Sequence, residues 1–349
     1  MTDMTDREEV ITEDEAALYD RQIRLWGLDA QKRLRAARCL LIGLSGLGAE
    51  VAKNIVLSGV KSLTLLDPHQ VTEEDFCSQF LVNRSDIGKN RAESSLLRTQ
   101  QLNPMVEVSA DSSGIKEKGE DFLCQFDVIC ATCCTREELL RLDDICRRHN
   151  ILFYCGDVWG YFGYMFADLK EHEFAEEVKQ TKRKHEDSWP GEGGGSGEPG
   201  APTGKSHQPE TRTVRKNTSF VTLEAALSKD WANKTVKRTP NTYFIMQVLL
   251  RFRGQHGRDP CSQHLKEDQT ELLELRDQVL AELHVTNPTL VPNSFASHCF
   301  AELSPVCAVV GGVLGQEIIK AVSKKDAPHN NFFFFNGLEG SGMVDCIGS

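Results

Sequence analysis

The chain has 349 residues, 40% of them hydrophobic and 26% charged, enough for one large core or two domains and too apolar for a disordered chain. A formal net charge of -11 argues against sequence-independent nucleic-acid binding, which needs a basic surface, and is compatible with a basic protein partner. No run of 18 or more apolar residues predicts a membrane span, and the acidic, polar start MTDMTDREEV is unlike a secretory signal.

In chain order, Thr12-Glu13-Asp14-Glu15 has capping-box spacing and predicts a helix running towards Trp26. Gly27 breaks it, and residues 29–37 resume a short helix. Apolar runs at 39–43, 62–67, 106–109, 126–132 and 151–155 read as strands, alternating with helices at 46–58, 92–101 and 137–149. Strands that are apolar throughout and separated by helices predict a Rossmann-like, mostly parallel α/β sheet covered on both faces.

From 179 to 217 periodicity is lost around the run Trp189-Pro190-Gly191-Glu192-Gly193-Gly194-Gly195-Ser196-Gly197, which predicts a flexible insert. The expected organisation is residues 1–178 as an arginine-bearing helix plus Rossmann-like core, 179–219 as linker, and 220–349 as the remainder of the fold. The basic run Thr181-Lys182-Arg183-Lys184 fits a nuclear address and also plain solvated chain. Helices follow at 242–253, 269–284 and around 306–322, beside Pro305. Residues 331–335 and 343–347, flanking Asn336-Gly337, read as a hairpin with a loop longer than two residues. The phenylalanines Phe332 to Phe335 fit a strand buried on both faces better than a binding platform.

Twelve cysteines, several in apolar runs (Cys39, Cys130, Cys155, Cys307), are expected to be reduced thiols of the cytosol or nucleus that pack as small hydrophobes. Cys130 and Cys133 spell C-x-x-C. No second pair lies nearby for zinc, and the motif ends a strand instead of opening a helix, so packing is expected.

Gly43-Leu44-Ser45-Gly46-Leu47-Gly48 follows a strand and opens a helix, as a dinucleotide fingerprint requires. Ser45 replaces the glycine that lets backbone approach pyrophosphate, although Asp67 ends the next strand where a ribose-binding acid belongs. The motif alone leaves open whether it holds a nucleotide or only packs helix on strand. Ahead of it, Arg21 and Arg24 are three residues apart and share a helix face. From the residues alone they form a surface helix, with Asp20 pairing Arg24 at i,i+4 and Arg21 solvated.

Tyr19-Asp20-Arg21-Gln22-Ile23-Arg24-Leu25-Trp26-Gly27, the glycine turn, Gly88-Lys89-Asn90-Arg91-Ala92-Glu93 and Leu102-Asn103-Pro104 together resemble the activating enzymes of ubiquitin-like proteins. Ser304-Pro305-Val306-Cys307-Ala308-Val309-Val310-Gly311-Gly312, Gln316-Glu317-Ile318-Ile319-Lys320 and Asn331-Phe332-Phe333-Phe334-Phe335 continue the resemblance over nearly the whole chain outside the insert. A short insert, Gly160-Tyr161-Phe162-Gly163-Tyr164 and Glu171-His172-Glu173-Phe174 point to the smaller, non-adenylating subunits of the SUMO-activating branch.

The departures from the adenylating pattern carry information. An Asp-x-Asp is replaced by Asp67-Pro68-His69, and Ser78 stands where a nucleotide-holding arginine would fall. Thr132-Cys133-Cys134 replaces Thr-Asp-Asn and so lacks a hard oxygen ligand for Mg²⁺. Arg91 stands for a phosphate-contacting lysine, keeping charge but not shape. The resemblance therefore implies a degenerate loop (Gly43, Ser45, Gly46, Gly48, Asp67) with no resident metal. It implies ATP and Mg²⁺ bound mainly by a larger, cysteine-bearing partner in a heterodimer, and SUMO engaged through that complex, without nucleic acid or membrane. Arg21 would reach the partner's ATP, with Arg24 supporting. Cys77 and Cys261 are the least obviously buried thiols, but neither lies in a domain like the family's cysteine domain, so the acceptor thiol is expected on the partner. The resemblance implies a nuclear, and also cytoplasmic, location. Rival readings are a self-sufficient adenylating homodimer like the bacterial sulfur-carrier activators, a nicotinamide oxidoreductase using Gly43, Gly48 and Asp67, and a scaffold that only stabilises a partner.

Overall fold

A computed structural model describes residues 11–179, 211–232, 239–285, 287 and 289–348. The capping box forms as expected: Thr12 caps α1 (Glu13–Leu18) and the Glu15 carboxylate returns to the Thr12 N–H. The single helix expected towards Trp26 is two, because Tyr19 leaves helical geometry before α2 (Asp20–Trp26). Next come α3 (Leu28–Ala36), β1 (Arg38–Ile42), α4 (Gly46–Ser58), β2 (Ser62–Leu66), α5 (Arg91–Leu102) and β3 (Glu107–Asp111). The chain continues through α6 (Glu120–Leu123), β4 (Val128–Ala131), α7 (Arg136–His149), β5 (Leu152–Trp159) and β6 (Phe162–Asp168). A polar ribbon, β7 (Glu171–Lys179) and β8 (Thr211–Ser219), precedes α8 (Leu223–Leu227), α9 (Asn241–His256), α10 (Leu265–Glu282), α11 (Ser304–Ser323), β9 (Phe332–Asn336) and β10 (Ser341–Asp345).

Eight strands form one sheet in the order β10-β9-β6-β5-β4-β1-β2-β3. Strands β3, β2, β1, β4 and β5 run parallel, while β6, β9 and β10 add antiparallel to the β5 side. Consecutive residues of β1 face opposite cores. Leu40 and Ile42 pack with residues of α7, α9 and α10, whereas Cys39 and Leu41 pack with residues of α3, α4 and α11. That two-sided burial explains the absence of polar alternation in these strands. β9 lies between β6 and β10 with Phe332 and Phe334 in one core and Phe333 in the other, as expected for a strand buried on both faces.

Several expectations change. The strand read at 151–155 extends to Trp159, and β6 and β7 were not anticipated. Residues 211–219, assigned to the linker, pair with β7 residue for residue from Glu171–Ser219 to Lys179–Thr211. Cross-strand pairs Glu176–Lys216 at 2.5 Å and Glu173–Arg215 at 3.4 Å accompany this mostly exposed ladder, in which His172 and Phe174 are the only buried side chains among those described and give too short an alternation to betray it. The basic run at 181–184 and the glycine-rich stretch around Trp189 lie outside the described residues. Helix α11 is long and apolar enough for a membrane span, but most of it is buried against α4 and the sheet, which accounts for its composition.

Candidate functional site

The amino-terminal helices are pinned to the carboxyl end of α4. Tyr19 is 2% exposed, its ring packs over Gly59, and its hydroxyl accepts a bond from Asn103 Nδ2 at 2.9 Å. Asn103 Nδ2 also donates to the Val56 carbonyl at 3.0 Å, and Gln22 Nε2 donates to the Leu57 carbonyl at 2.9 Å. Tyr19 and Asn103, 84 residues apart, are thus two halves of one anchor. The outer face of α2 is left open. Arg24 is exposed and pairs with Asp20 at 3.0 Å, the i,i+4 contact expected of a simple surface helix. Arg21 is exposed and makes no ion pair among the described residues. Leu25, four residues after Arg21 on α2, is 74% exposed, and Leu18 at the end of α1 and Leu28 at the start of α3 are 56% and 47% exposed.

At the centre of the sheet, β1 and β4 are neighbours while their following helices lie on opposite faces, the switch point where ligands of such folds bind. Gly43 has φ of +85°, and a Cβ there would lie 2.4 Å from Thr132 Oγ1. A Cβ on Gly48 would lie 2.0 Å from the Gly43 carbonyl oxygen. Thr132 Oγ1 donates to the carbonyls of Ile42 at 2.9 Å and Gly43 at 3.1 Å. Both glycines are therefore required by packing, whatever the loop binds.

The donors of this cradle already have an acceptor. Glu302, in the loop before α11, accepts from the Gly46 N–H at 2.6 Å, from Ser45 Oγ at 2.9 Å and from Ser78 Oγ at 3.3 Å. The loop is fixed from below: Gly160 N–H donates to the Ala301 carbonyl at 2.6 Å and Tyr161 N–H to the His298 carbonyl at 2.9 Å. Burial pushes the Glu302 carboxyl up to about 7, with Asp157 and Asp259 adding to the rise and the bonds from Ser45 and Gly46 opposing it. Ser45 Oγ also lies 3.2 Å from Cys133 Sγ. Burial, then Glu302 and Asp157, push the Cys133 thiol up to about 12, so it stays a thiol and not a nucleophile.

Asp67, where a ribose acid would stand, is wholly buried and committed inward. It accepts from Leu44 N–H at 2.7 Å, His69 N–H at 2.9 Å and His69 Nδ1 at 2.8 Å. Burial raises its pKa, but the His69 bond and the Arg91 charge outweigh that and hold it below the ordinary value; Asp67 in turn raises His69. Arg91 lies 3.4 Å from Asp67 and 3.3 Å from Asp75, neutralising both carboxylates. Beside it, Asn90 caps α5 through its bond from the Glu93 N–H and donates to the Asp67 carbonyl at 2.7 Å.

Behind Cys133 sits an ion cluster in which Asp157 and Arg253 are buried and Asp259 reaches solvent. Asp157 accepts from the Cys133 N–H at 2.8 Å and from both terminal nitrogens of Arg253 at 3.0 and 3.1 Å. Arg253 also binds Asp259 twice at 2.8 Å and the Cys134 carbonyl at 2.9 Å, and its guanidinium lies 4.9 Å from the Trp159 ring centre. These bonds raise Arg253 well above its ordinary value despite burial.

The cradle does not fit a nucleotide of its own. Its helix-end amide and two hydroxyls serve Glu302, Asp67 is spent on neighbouring donors, and a phosphate beside Glu302 would meet like charge. Among the described residues no group of three His, Cys, Asp or Glu side chains could hold a metal. Thus Gly43, Ser45, Gly46, Gly48, Asp67, His69, Ser78, Arg91 and Cys133 gather in one place, while Arg21 and Arg24 lie apart on α2. Of the two thiols singled out by sequence, Cys77 is exposed and Cys261 half-buried beside Arg258; Cys346 is exposed and was not anticipated. Glu302, Asp157 and Arg253 were also missed, because no motif links residues so far apart in sequence.

Fold and site together define a doubly wound α/β protein of the nucleotide-cradle type whose cradle is filled by its own carboxylate. The chain belongs to the ThiF family, whose model matches residues 19–346. It is 53% identical to SUMO-activating enzyme subunit 1 of Xenopus tropicalis, covering 99% of this chain and all of that protein. Identity to SUMO-activating enzyme subunit 1 is 50% for Homo sapiens, covering 99% of each chain, and 52% for Danio rerio, covering 100% of each. The crystal structure of E. coli MccB with succinimide superposes with a TM-score of 0.54 over 95% of this chain and 71% of that one, at 13% identity, a likeness of fold alone.

Proposed function

We propose that the chain is the non-adenylating subunit of a heterodimeric SUMO-activating enzyme. It supports ATP-dependent adenylation of the modifier's C-terminal carboxylate, followed by thioester formation on a cysteine of the larger partner. Full-length similarity to proteins named SUMO-activating enzyme subunit 1 supports the assignment, and the filled cradle supports placing ATP and Mg²⁺ mainly on the partner. A nuclear location, shared with the cytoplasm, is part of the same reading.

The observation that carries the trans role is the outer face of α2: an exposed arginine without an ion-pair partner among the described residues, one turn from exposed Leu25, with exposed Leu18 and Leu28 at the adjoining ends of α1 and α3. Exposed leucines on either side of an unpaired cation in sequence suit contact with another protein. In this reading the leucines dock the partner and Arg21 crosses the seam towards its triphosphate, with Arg24 supporting. There the guanidinium neutralises charge that grows on the departing pyrophosphate.

Arg21→Ala is expected to leave the heterodimer intact by size-exclusion chromatography and to slow ATP–pyrophosphate exchange by about 100-fold, the scale of one lost transition-state donor. Unchanged exchange would leave the scaffold reading, in which the chain only stabilises its partner. Robust exchange by the isolated chain would instead favour a self-sufficient adenylating homodimer.

A further inference from the structure

The geometry points to Glu302 as a built-in substitute for a nucleotide phosphate, a carboxylate that shuts this chain's own cradle and whose removal reopens it as a site for pyrophosphate. This concerns the chain's own interior and stands whether or not Arg21 acts on a partner.

Three observations combine. First, the acceptor at the head of α4 is an anion seated where the fold places pyrophosphate, at the amino end of the helix that follows β1. Second, it is held by a set of donors brought from separate segments: Gly46 N–H and Ser45 Oγ from the glycine turn, and Ser78 Oγ from the loop after β2. Third, the carboxylate is delivered by a loop that cannot easily withdraw. Ala301 and His298 are bonded to the turn joining β5 and β6, and a Cβ on Gly160 would lie 2.0 Å from the His298 carbonyl oxygen. Serine at position 78 suits this arrangement, because its short side chain reaches Glu302 and contributes a hydroxyl donor without a competing charge.

Removing the carboxylate frees the amide and both hydroxyls at once. Glu302→Ala leaves those three donors facing a vacated space, while the Arg91 charge nearby stays matched by Asp67 and Asp75. An anion that binds only the folded state stabilises it by mass action.

The test uses the full chain and inorganic pyrophosphate in thermal melts at constant ionic strength. Wild type is expected to shift by less than about 1 °C at millimolar pyrophosphate, and Glu302→Ala to rise by about 3 °C or more with saturation. A folded Glu302→Ala protein indifferent to pyrophosphate, or a wild type stabilised equally, overturns the proposal. Should the variant not fold, the Gly46 amide of wild type read by NMR decides. It is expected to be unmoved by pyrophosphate while Glu302 holds it, and a saturable shift overturns the idea. Because these readouts are of binding, they can fail while the Arg21 exchange assay succeeds, and the reverse.

Discussion

Asp143 should act as a stability switch near neutral pH. It sits on α7, 2% exposed, with Oδ2 accepting from the Leu223 N–H at the start of α8 at 2.7 Å and Oδ1 buried without a donor. Next to it Asp168 is paired with Arg147 and accepts from the Lys170 N–H, while Arg147 acts on Asp143 only through its charge. Burial, then the Asp168 charge, push Asp143 up from its ordinary 3.8 to about 7. The sign follows from linkage: a carboxyl raised in the folded state stabilises below its unfolded pKa, and that contribution is lost as pH climbs through the folded one. At 1.36 kcal/mol per pH unit the loss between pH 4 and 8 is capped at about 4 kcal/mol, and sharing of the proton with Asp168 reduces it to roughly 2. Asp143→Asn keeps the acceptor for Leu223 and places a permanent N–H where the proton would be. Urea unfolding should therefore show the variant more stable than wild type by about 2 kcal/mol at pH 8, with the difference shrinking as pH falls and vanishing only below about pH 4, the unfolded pKa. Glu302, raised to about 7, tilts both proteins alike and cancels in that comparison. A variant destabilised equally at both pH values would refute the reasoning.

Two glycines in helices should respond oppositely to alanine. Gly48→Ala drives a Cβ to 2.0 Å from the Gly43 carbonyl oxygen and should cost about 1–3 kcal/mol, whereas Gly254→Ala in α9 meets nothing within 4 Å and should gain roughly 0.5–1, both read by urea unfolding. Arg253→Met leaves Asp157 enclosed without its counter-charge and should cost about 3–5 kcal/mol. Arg253→Lys should recover only part, since an ammonium cannot bind Asp157, Asp259 and the Cys134 carbonyl together; equal stability of Lys and Arg proteins would discount the fork geometry.

How much of this was legible depended on whether the signal was local. The parallel strands were readable because burial on both faces makes them continuously apolar, and the glycine turn because it follows such a strand directly. The ribbon of β7 and β8 was not, since its stabilisation comes from ladder bonds and exposed charge pairs that leave a composition like a linker's. In the site, each replacement (Ser45, His69, Ser78, Cys133) was visible in sequence as a loss. What those residues gained was invisible. Glu302 is 257 positions from Ser45, and nothing in Ala301-Glu302-Leu303-Ser304-Pro305 announces a carboxylate aimed at a distant helix end. Asp157 and Arg253 are likewise 96 apart and become one unit only when β5 and α9 pack.

The presence of Gly43 and Gly48 in a turn whose donors are already taken by Glu302 has a physical explanation. Gly43 and Gly48 are held by contacts that need no ligand: with Thr132, just past the neighbouring strand β4, at 2.4 Å and with the turn's own carbonyl at 2.0 Å for any added Cβ. Losing a ligand relaxes neither contact, so the glycines report how α4 packs on the sheet and not what the loop holds. Ligand occupancy is decided instead at positions 45, 78 and 302, which choose between leaving the helix-end donors for a phosphate and satisfying them within the chain. Here all three choose the chain, and the free arginine lies outside on α2. In the function proposed above, a chain so arranged acts on phosphate chemistry through the surface it offers a partner.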